Sequence, residues 1–231
     1  MPTRPFPWLT LVLLVLVAVG VGIPMVDEAA GTSTYTVPAE DLAAAHAALG
    51  SIAVKGRAPM TGYEREQFGQ AWADVDRNGC DTRNDVLGRD LSELTWKPGT
   101  RDCVVLTGVL TDPYSGRTIP FQRGENSGDV QIDHVVALAD AWQKGAQQLT
   151  AEQRETFAND PANLLAVDGP LNQQKGAGDA ATWLPPNKGY RCAYVLRQIT
   201  VKAAYGLWVT SAEHDAIERE LGRCVTAPEE A

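Results

Sequence analysis

VQIDHVVALADAW, Val130 to Trp142, sets an Asp–His pair at the end of a short alternating apolar run. Val130 and Ile132 alternate with Gln131 and Asp133, the period of a strand with one face buried. From His134 onward, HVVALADAWQKGA reads as a helix that ends at Gly145, a residue suited to a C-cap. Neighbouring side chains of an extended chain point to opposite faces, so Asp133 and His134 can serve one site only if the strand breaks between them. The expected start of a helix at His134 supplies that break. Asp133 could then offer oxygen to a hard cation while His134 stays unligated and accepts a proton.

The segments around this stretch give the fold class. NLLAVDG (Asn163 to Gly169) reads as a short apolar strand closing in a turn, and PLNQQKG starts a helical turn with Pro170 near its first position. This sets Asn163 at a strand entry and carries Asn172 and Lys175 on a helix. One carboxylate with one amide carbonyl suits Mg²⁺, which prefers oxygen and keeps several waters. Upstream, CVVLTGVLTDPYSGRTIPFQ (Cys103 to Gln122) reads as a hairpin about a D-P-Y-S-G turn. Helices are expected over Ala39 to Ile52, which contains His46, and over Thr61 to Trp72, where Tyr63, Phe68 and Trp72 make an apolar face. LTAEQRETFA is another, with Thr150 and Gln153 in capping-box spacing, and Thr210 and Glu213 have the same spacing before the last helix. The domain is therefore α+β, mainly helical, with a small antiparallel sheet.

The first residues read differently. MPTRPFP carries one Arg, and Trp8 to Ile23 is 16 residues without a charge. This is the pattern of a signal peptide, or of an N-terminal anchor if residues 1–26 are retained; about 20 residues make a full membrane span. DEAAGTSTYTVPAE is small and polar, so residues 27–38 read as a tether and residues 39–231 as the globular domain. That domain is expected outside the cell or facing outside, with the N-terminal segment as its one route to a membrane.

Cysteine usage agrees with an oxidising compartment. Cys80, Cys103, Cys192 and Cys224 contain no C-x-x-C, which speaks for two disulfides over a zinc site and leaves three pairings. Tyr190 to Trp208 and Ser211 to Cys224 read as an antiparallel helical hairpin. Cys192 stands 16 residues before Trp208 and Cys224 stands 15 after Val209. At about 1.5 Å per residue the two arms match, so these thiols meet at the open end and Cys80 is left for Cys103.

Taken jointly, Asp133-His134, the strand-entry Asn163, and N-x-x-K at Asn172 to Lys175 resemble the ββα-metal motif of HNH endonucleases. The D-H-V-V-A-L form is similar to the D-H-I-x-P variant. The wider run through CDTRNDVLGRDL, FANDPANLLAVDG and NQQKGAGDAATWLPPNKGYRC resembles secreted actinobacterial HNH proteins related to the C-terminal domain of GmrSD-type restriction enzymes. It covers about residues 61 to 224, with the motif core at 129–188. The resemblance implies a ββα-metal site in which His134 is the general base and Asp133 and Asn172 hold one divalent cation. Asn163 would bond across the loop and orient His134. Many members carry His where Asn172 stands here, which favours Mg²⁺, then Mn²⁺, over Zn²⁺. DNA is the implied substrate, with RNA a further candidate, and the products would carry 5′ phosphate. WLPP, with Trp183, resembles a structural corner of the family.

Charge sets a difficulty for that reading. A formal net charge of −9 argues against tight binding to phosphates. From Asn172 to Lys202, however, Lys175, Lys188, Arg191, Arg197 and Lys202 face only Asp179, so phosphate contacts can be local. Lys175 and Arg83 are the candidate phosphate contacts. A second motif, DVDRNGCDTRND, fits most of a calcium loop, with Asp74, Asp76, Asn78 and Asp85 at ligand positions and Gly79 at the turn. An Asx-rich turn without an ion accounts for it equally. Two functions follow. One is a secreted metal-dependent endonuclease; the other is a non-catalytic calcium-binding module of the cell envelope. Nothing in the sequence marks an obligate protein partner, and His214, among the charges of the last helix, reads as surface.

Overall fold

The Val130–Asp133 alternation becomes strand β4 (Val130–His134), one residue longer than the apolar pattern requires. It pairs antiparallel with β5 (Leu164–Asp168), His134 facing Leu164 and Asp133 facing Leu165. The computed structural model describes residues 35–227. The apolar N-terminal stretch and most of the tether lie outside those residues. β5 is buried on both faces, which is why it reads as a continuous apolar run rather than an alternating one. Leu164 and Ala166 enter one core cluster with Val130 and Ile132, while Leu165 and Val167 enter another with Tyr114, Tyr194 and Ile199.

A second, three-stranded antiparallel sheet holds β1 (Leu91–Trp96), β2 (Val105–Thr111) and β3 (Thr118–Gln122) in that order. β2 and β3 are the arms of the expected hairpin, with Thr107 against Gln122 and Thr111 against Thr118. Its turn is built by Asp112, which is buried and accepts from the backbone N–H groups of Tyr114 and Ser115.

The helices are α1 (Ala39–Ser51), α2 (Thr82–Asp90), α3 (Leu138–Gln143), α4 (Ala151–Asn159), α5 (Gly169–Lys175), α6 (Arg191–Ala204) and α7 (Ser211–Leu221). Both capping boxes form, Thr150 with Gln153 on α4 and Thr210 with Glu213 on α7. α1, α6 and α7 pack together around Leu49, Val195 and Ile217. α6 and α7 make the expected hairpin, closed by Cys192–Cys224, and Cys80–Cys103 is the second disulfide. The folded unit also takes in the end of the expected tether, since Val37 is buried and bridges Thr226 in parallel.

Two helices differ from expectation. Thr61 to Trp72 forms only a single 3₁₀ turn, Arg65–Phe68, inside an irregular strap. Gly62 and Gly69 break it with positive φ, and Trp72 also sits at φ 61°. The helix expected from His134 begins instead at Leu138. Val135 to Ala137 run as a buried link between strand and helix, because Asn163 captures their backbone.

Candidate active site

β4, β5 and α5 form a strand–strand–helix unit whose open side is a cleft of about 340 Å³. Asp133, His134 and Asn172 line it together, with Tyr63, Arg65 and Ala139 among the other walls. The strand therefore need not end between Asp133 and His134 for both to reach one site; it ends just after His134.

Each of the three side chains is oriented by a separate contact. His134 is buried, and its Nε2–H donates to the carbonyl of Ala158 at 2.8 Å. A carbonyl cannot donate, so this contact fixes the neutral tautomer and leaves the lone pair on Nδ1. Burial pushes the imidazole down to about 4, and Arg65 and Lys175 add to the shift. Trp72 stacks on the ring, centroids 6.3 Å apart and planes 17° from parallel.

Asn172 is oriented by a relay. Gln131 donates Nε2 to the carbonyl of Gly128, so its Oε1 faces Asn172 and accepts from Asn172 Nδ2 at 3.0 Å. The carbonyl oxygen of Asn172 is thereby turned away from that bond. Asp133 accepts from Lys175 Nζ at 2.8 Å through Oδ1 and from Tyr114 Oη at 2.5 Å through Oδ2. A carboxylate has about four lone-pair positions, so two hydrogen bonds leave capacity for a further partner. Burial raises its carboxyl above the ordinary value despite the lowering effect of Lys175.

Asn163 bonds across the link rather than to the His134 ring. Its Oδ1 accepts from Val136 N at 2.8 Å, its carbonyl accepts from Val135 N, and its Nδ2 donates to Val136 O at 3.3 Å. Lys175 holds the carbonyl of His134 at 2.8 Å, and Gln198 holds that of Val135 at 3.0 Å. The exit from His134 is thus pinned by β5, α5 and α6 at once.

Other sequence candidates fall elsewhere. Lys175 is buried as the counter-ion of Asp133, so its ammonium is not offered to a phosphate. Arg83 sits over the ring of Phe121 at 5.9 Å and is not among the cleft walls. The local excess of positive charge also dissolves into the fold. Lys202 pairs with Asp140 and Glu213, while Arg197 donates to the carbonyls of Pro161, Ala162 and Leu164. In the calcium-like loop, Asp74 accepts from the backbone of Asn78 and Gly79, and Asn78 donates its amide to Asp76 and Asp85. Those are the bonds of an Asx-rich turn. Trp183 packs edge-on against Tyr114 and Tyr194, and His46 is exposed on α1.

Sequence reasoning missed Tyr114, Gln131, Trp72 and Arg65. Tyr114 stood in a recognised turn and Gln131 stood two residues before Asp133, so position could have raised both. Trp72 and Arg65 belong to a strap fixed to α4 by partners some 85 residues away, which no local pattern carries.

Residues 81–220 match the C-terminal domain of the GmrSD restriction endonucleases. A protein of Arthroderma benhamiae, named "Uncharacterized secreted protein", is 37% identical over 182 residues, covering 78% of this chain and 84% of its own length. No solved structure matches. No helix among the described residues is long and apolar enough to cross a membrane. The chain belongs to the GmrSD restriction endonuclease C-terminal domain family.

Proposed function

We propose that this protein is a secreted, metal-dependent endonuclease of the HNH type that hydrolyses phosphodiester bonds of DNA, with His134 as its general base. One observation carries the reading. A neutral imidazole with a free Nδ1 shares a cleft with a carboxylate and an amide carbonyl that retain unused lone pairs. In the step this supports, His134 Nδ1 takes a proton from a water as the water oxygen bonds to phosphorus. The bond from phosphorus to the 3′ oxygen breaks, that oxygen takes a proton from solvent, and the 5′ product keeps the phosphate.

Asp133 and Asn172 are the residues that would hold a divalent cation, and their hard oxygen donors suit Mg²⁺ and then Mn²⁺. Such an ion supplies charge stabilisation to the phosphate and the leaving oxygen. A base near 4 is unprotonated at neutral pH but weak as a proton acceptor. The negative charge of a bound phosphate would raise it toward the working pH. Secretion is supported by the name of the relative and by two disulfides.

The test is digestion of plasmid and single-stranded DNA by the chain with its disulfides intact. It is run in Mg²⁺, Mn²⁺, Ca²⁺ or EDTA, beside His134→Ala. Cleavage in Mg²⁺ or Mn²⁺ should fall by about 10²- to 10⁴-fold in the variant while the protein stays folded. Cleavage that survives the substitution would remove His134 as base, and no cleavage with any metal would remove the nuclease reading.

A further inference from the structure

We propose that Arg65 is the phosphate-holding residue of the cleft, and that the strap of residues 61–73 completes the active site from outside the family-matched region. The inference rests on the nuclease reading and adds the group that engages the substrate backbone. A cleft for an anionic polymer needs a cation that is free to meet it. Of the residues lining the 340 Å³ cleft, Arg65 alone is a Lys or Arg. Lys175 lies beneath the floor, committed to Asp133 and the carbonyl of His134.

Arg65 also lines the small cavity of about 30 Å³ on the other side of His134, with Trp72 and Asn159. It therefore borders His134 from both openings. Its side chain is exposed, and no hydrogen bond or ion pair engages its guanidinium among the described residues. A planar guanidinium with five donors suits a bidentate grip on a phosphate.

The strap that carries it is held rigidly enough to position it. Arg154 donates to the carbonyl of Gln67 at 2.7 Å, Glu155 accepts from Gln70 N at 3.2 Å, and Asn159 accepts from Ala73 N at 3.0 Å. Tyr63 and Phe68 pack on Trp142, and Gly69 lies so close to Glu155 that a Cβ there would come within 2.7 Å of it. The family match begins only at residue 81, so Tyr63, Arg65 and Trp72 come from a segment that precedes it. The motif supplies base and metal donors, and the strap supplies the positive wall.

The experiment measures binding of a short single-stranded DNA to the His134→Ala chain, with and without Arg65→Ala or Arg65→Lys, across a salt series, and cleavage by the single Arg65 variants. Loss of Arg65 should weaken binding about tenfold or more and lower the salt slope by about one unit, as removal of one phosphate contact does. Cleavage should fall by roughly 10²-fold in Arg65→Ala, with partial recovery in Arg65→Lys. Binding and cleavage unchanged in Arg65→Ala would overturn this inference and leave the nuclease reading intact. A chain that binds DNA through Arg65 but never cleaves it would support the inference and sink the nuclease reading. No DNA binding by the Arg65-containing chain would overturn the inference.

Discussion

Two buried groups of charges sit in this fold, and they are balanced differently. In the first, Lys144 contacts Asp140, Asp179 and Glu213 at 2.6–2.7 Å; Lys202 contacts Asp140 and Glu213; and Arg57 reaches Asp140 and Asp179. Three carboxylates meet three cations, and α3, α6, α7 and the segment before the WLPP corner are joined. Burial alone would push Asp140 and Asp179 up, yet their cations outweigh it and hold both carboxyls below the ordinary range. In the second group, Asp133 has one ammonium and one phenol, and burial wins. In the first group every carboxylate touches at least two cations, and all its members but the half-exposed Arg57 are buried. In the second the carboxylate has a single cation and opens on a cleft. That contrast separates a scaffold from a site.

The largest effect should come from breaking the first group. Glu213→Ala leaves Lys144 and Lys202 facing each other with one carboxylate fewer, and removing one partner of a buried pair costs about 3–5 kcal/mol. Denaturant unfolding should show that loss, and a cost below 1 kcal/mol would mean the cluster is not a structural keystone. Asp133→Asn should be gentler, because Lys175 keeps the carbonyl of His134 and an amide oxygen can still accept from it.

The next effect is in pH. An unfolded histidine takes its proton near 6.5, whereas His134 in the fold resists until about 4. Between those values the unfolded chain binds more protons, so stability falls as pH falls. The His134 contribution to that loss is on the order of 3 kcal/mol across the window. It is opposed by Asp133, whose raised carboxyl takes up its proton more readily in the fold. His134→Gln should remove the His134 part when both are measured in EDTA. Asp140 and Asp179 stay silent there. Their depressed carboxyls contribute stability above 3.8 that is lost only at lower pH. A slope unchanged by the substitution would show that His134 is not the group held neutral.

A divalent cation tests the same asymmetry from the other side. If Asp133 and Asn172 take up Mg²⁺, an excess of a hundredfold over its Kd should stabilise the chain by about 2.7 kcal/mol. Asp133→Asn and Asn172→Ala should abolish that gain, and Glu213→Gln should leave it. A Mg²⁺ shift that survives both cleft variants would place the ion elsewhere, with the Asp74–Asp85 loop and the surface group of His214, Asp215 and Glu218 as the candidates.

How much of this the sequence carried depends on how far apart the partners lie. The β4 alternation, the D-P-Y-S-G turn, both capping boxes and the helical hairpin behind Cys192–Cys224 are local patterns, and all formed. The helix read into Thr61 to Trp72 failed because glycines at positive φ and bonds to α4 outweigh its apolar spacing. The helix start at His134 failed because Asn163, 27 residues beyond Val136, claims the backbone of Val136. Asp133, His134, Asn163 and Asn172 were legible as a motif. That Lys175 is a buried counter-ion, and that Arg65 faces the cleft, depends on tertiary contacts that no spacing encodes.

The smallest effect is also the finest probe of the contrast. Thr150 and Thr210 are equivalent N-caps, each accepting from an N3 backbone N–H at 3.2 Å. Replacing either by Ala removes one such bond, a loss of about 1 kcal/mol. Their N3 partners differ. Gln153 is exposed, whereas Glu213 is fully buried and holds Lys144 and Lys202 while bonding back to Thr210 N. Thr210→Ala loosens a helix end whose N3 side chain belongs to the charge cluster, so it should cost more than Thr150→Ala. The excess should disappear in a Glu213→Gln background, as a double-mutant cycle reads coupling between neighbours. Equal costs in both backgrounds would mean that the cap and the cluster are independent, and that the cluster is held by its ions alone.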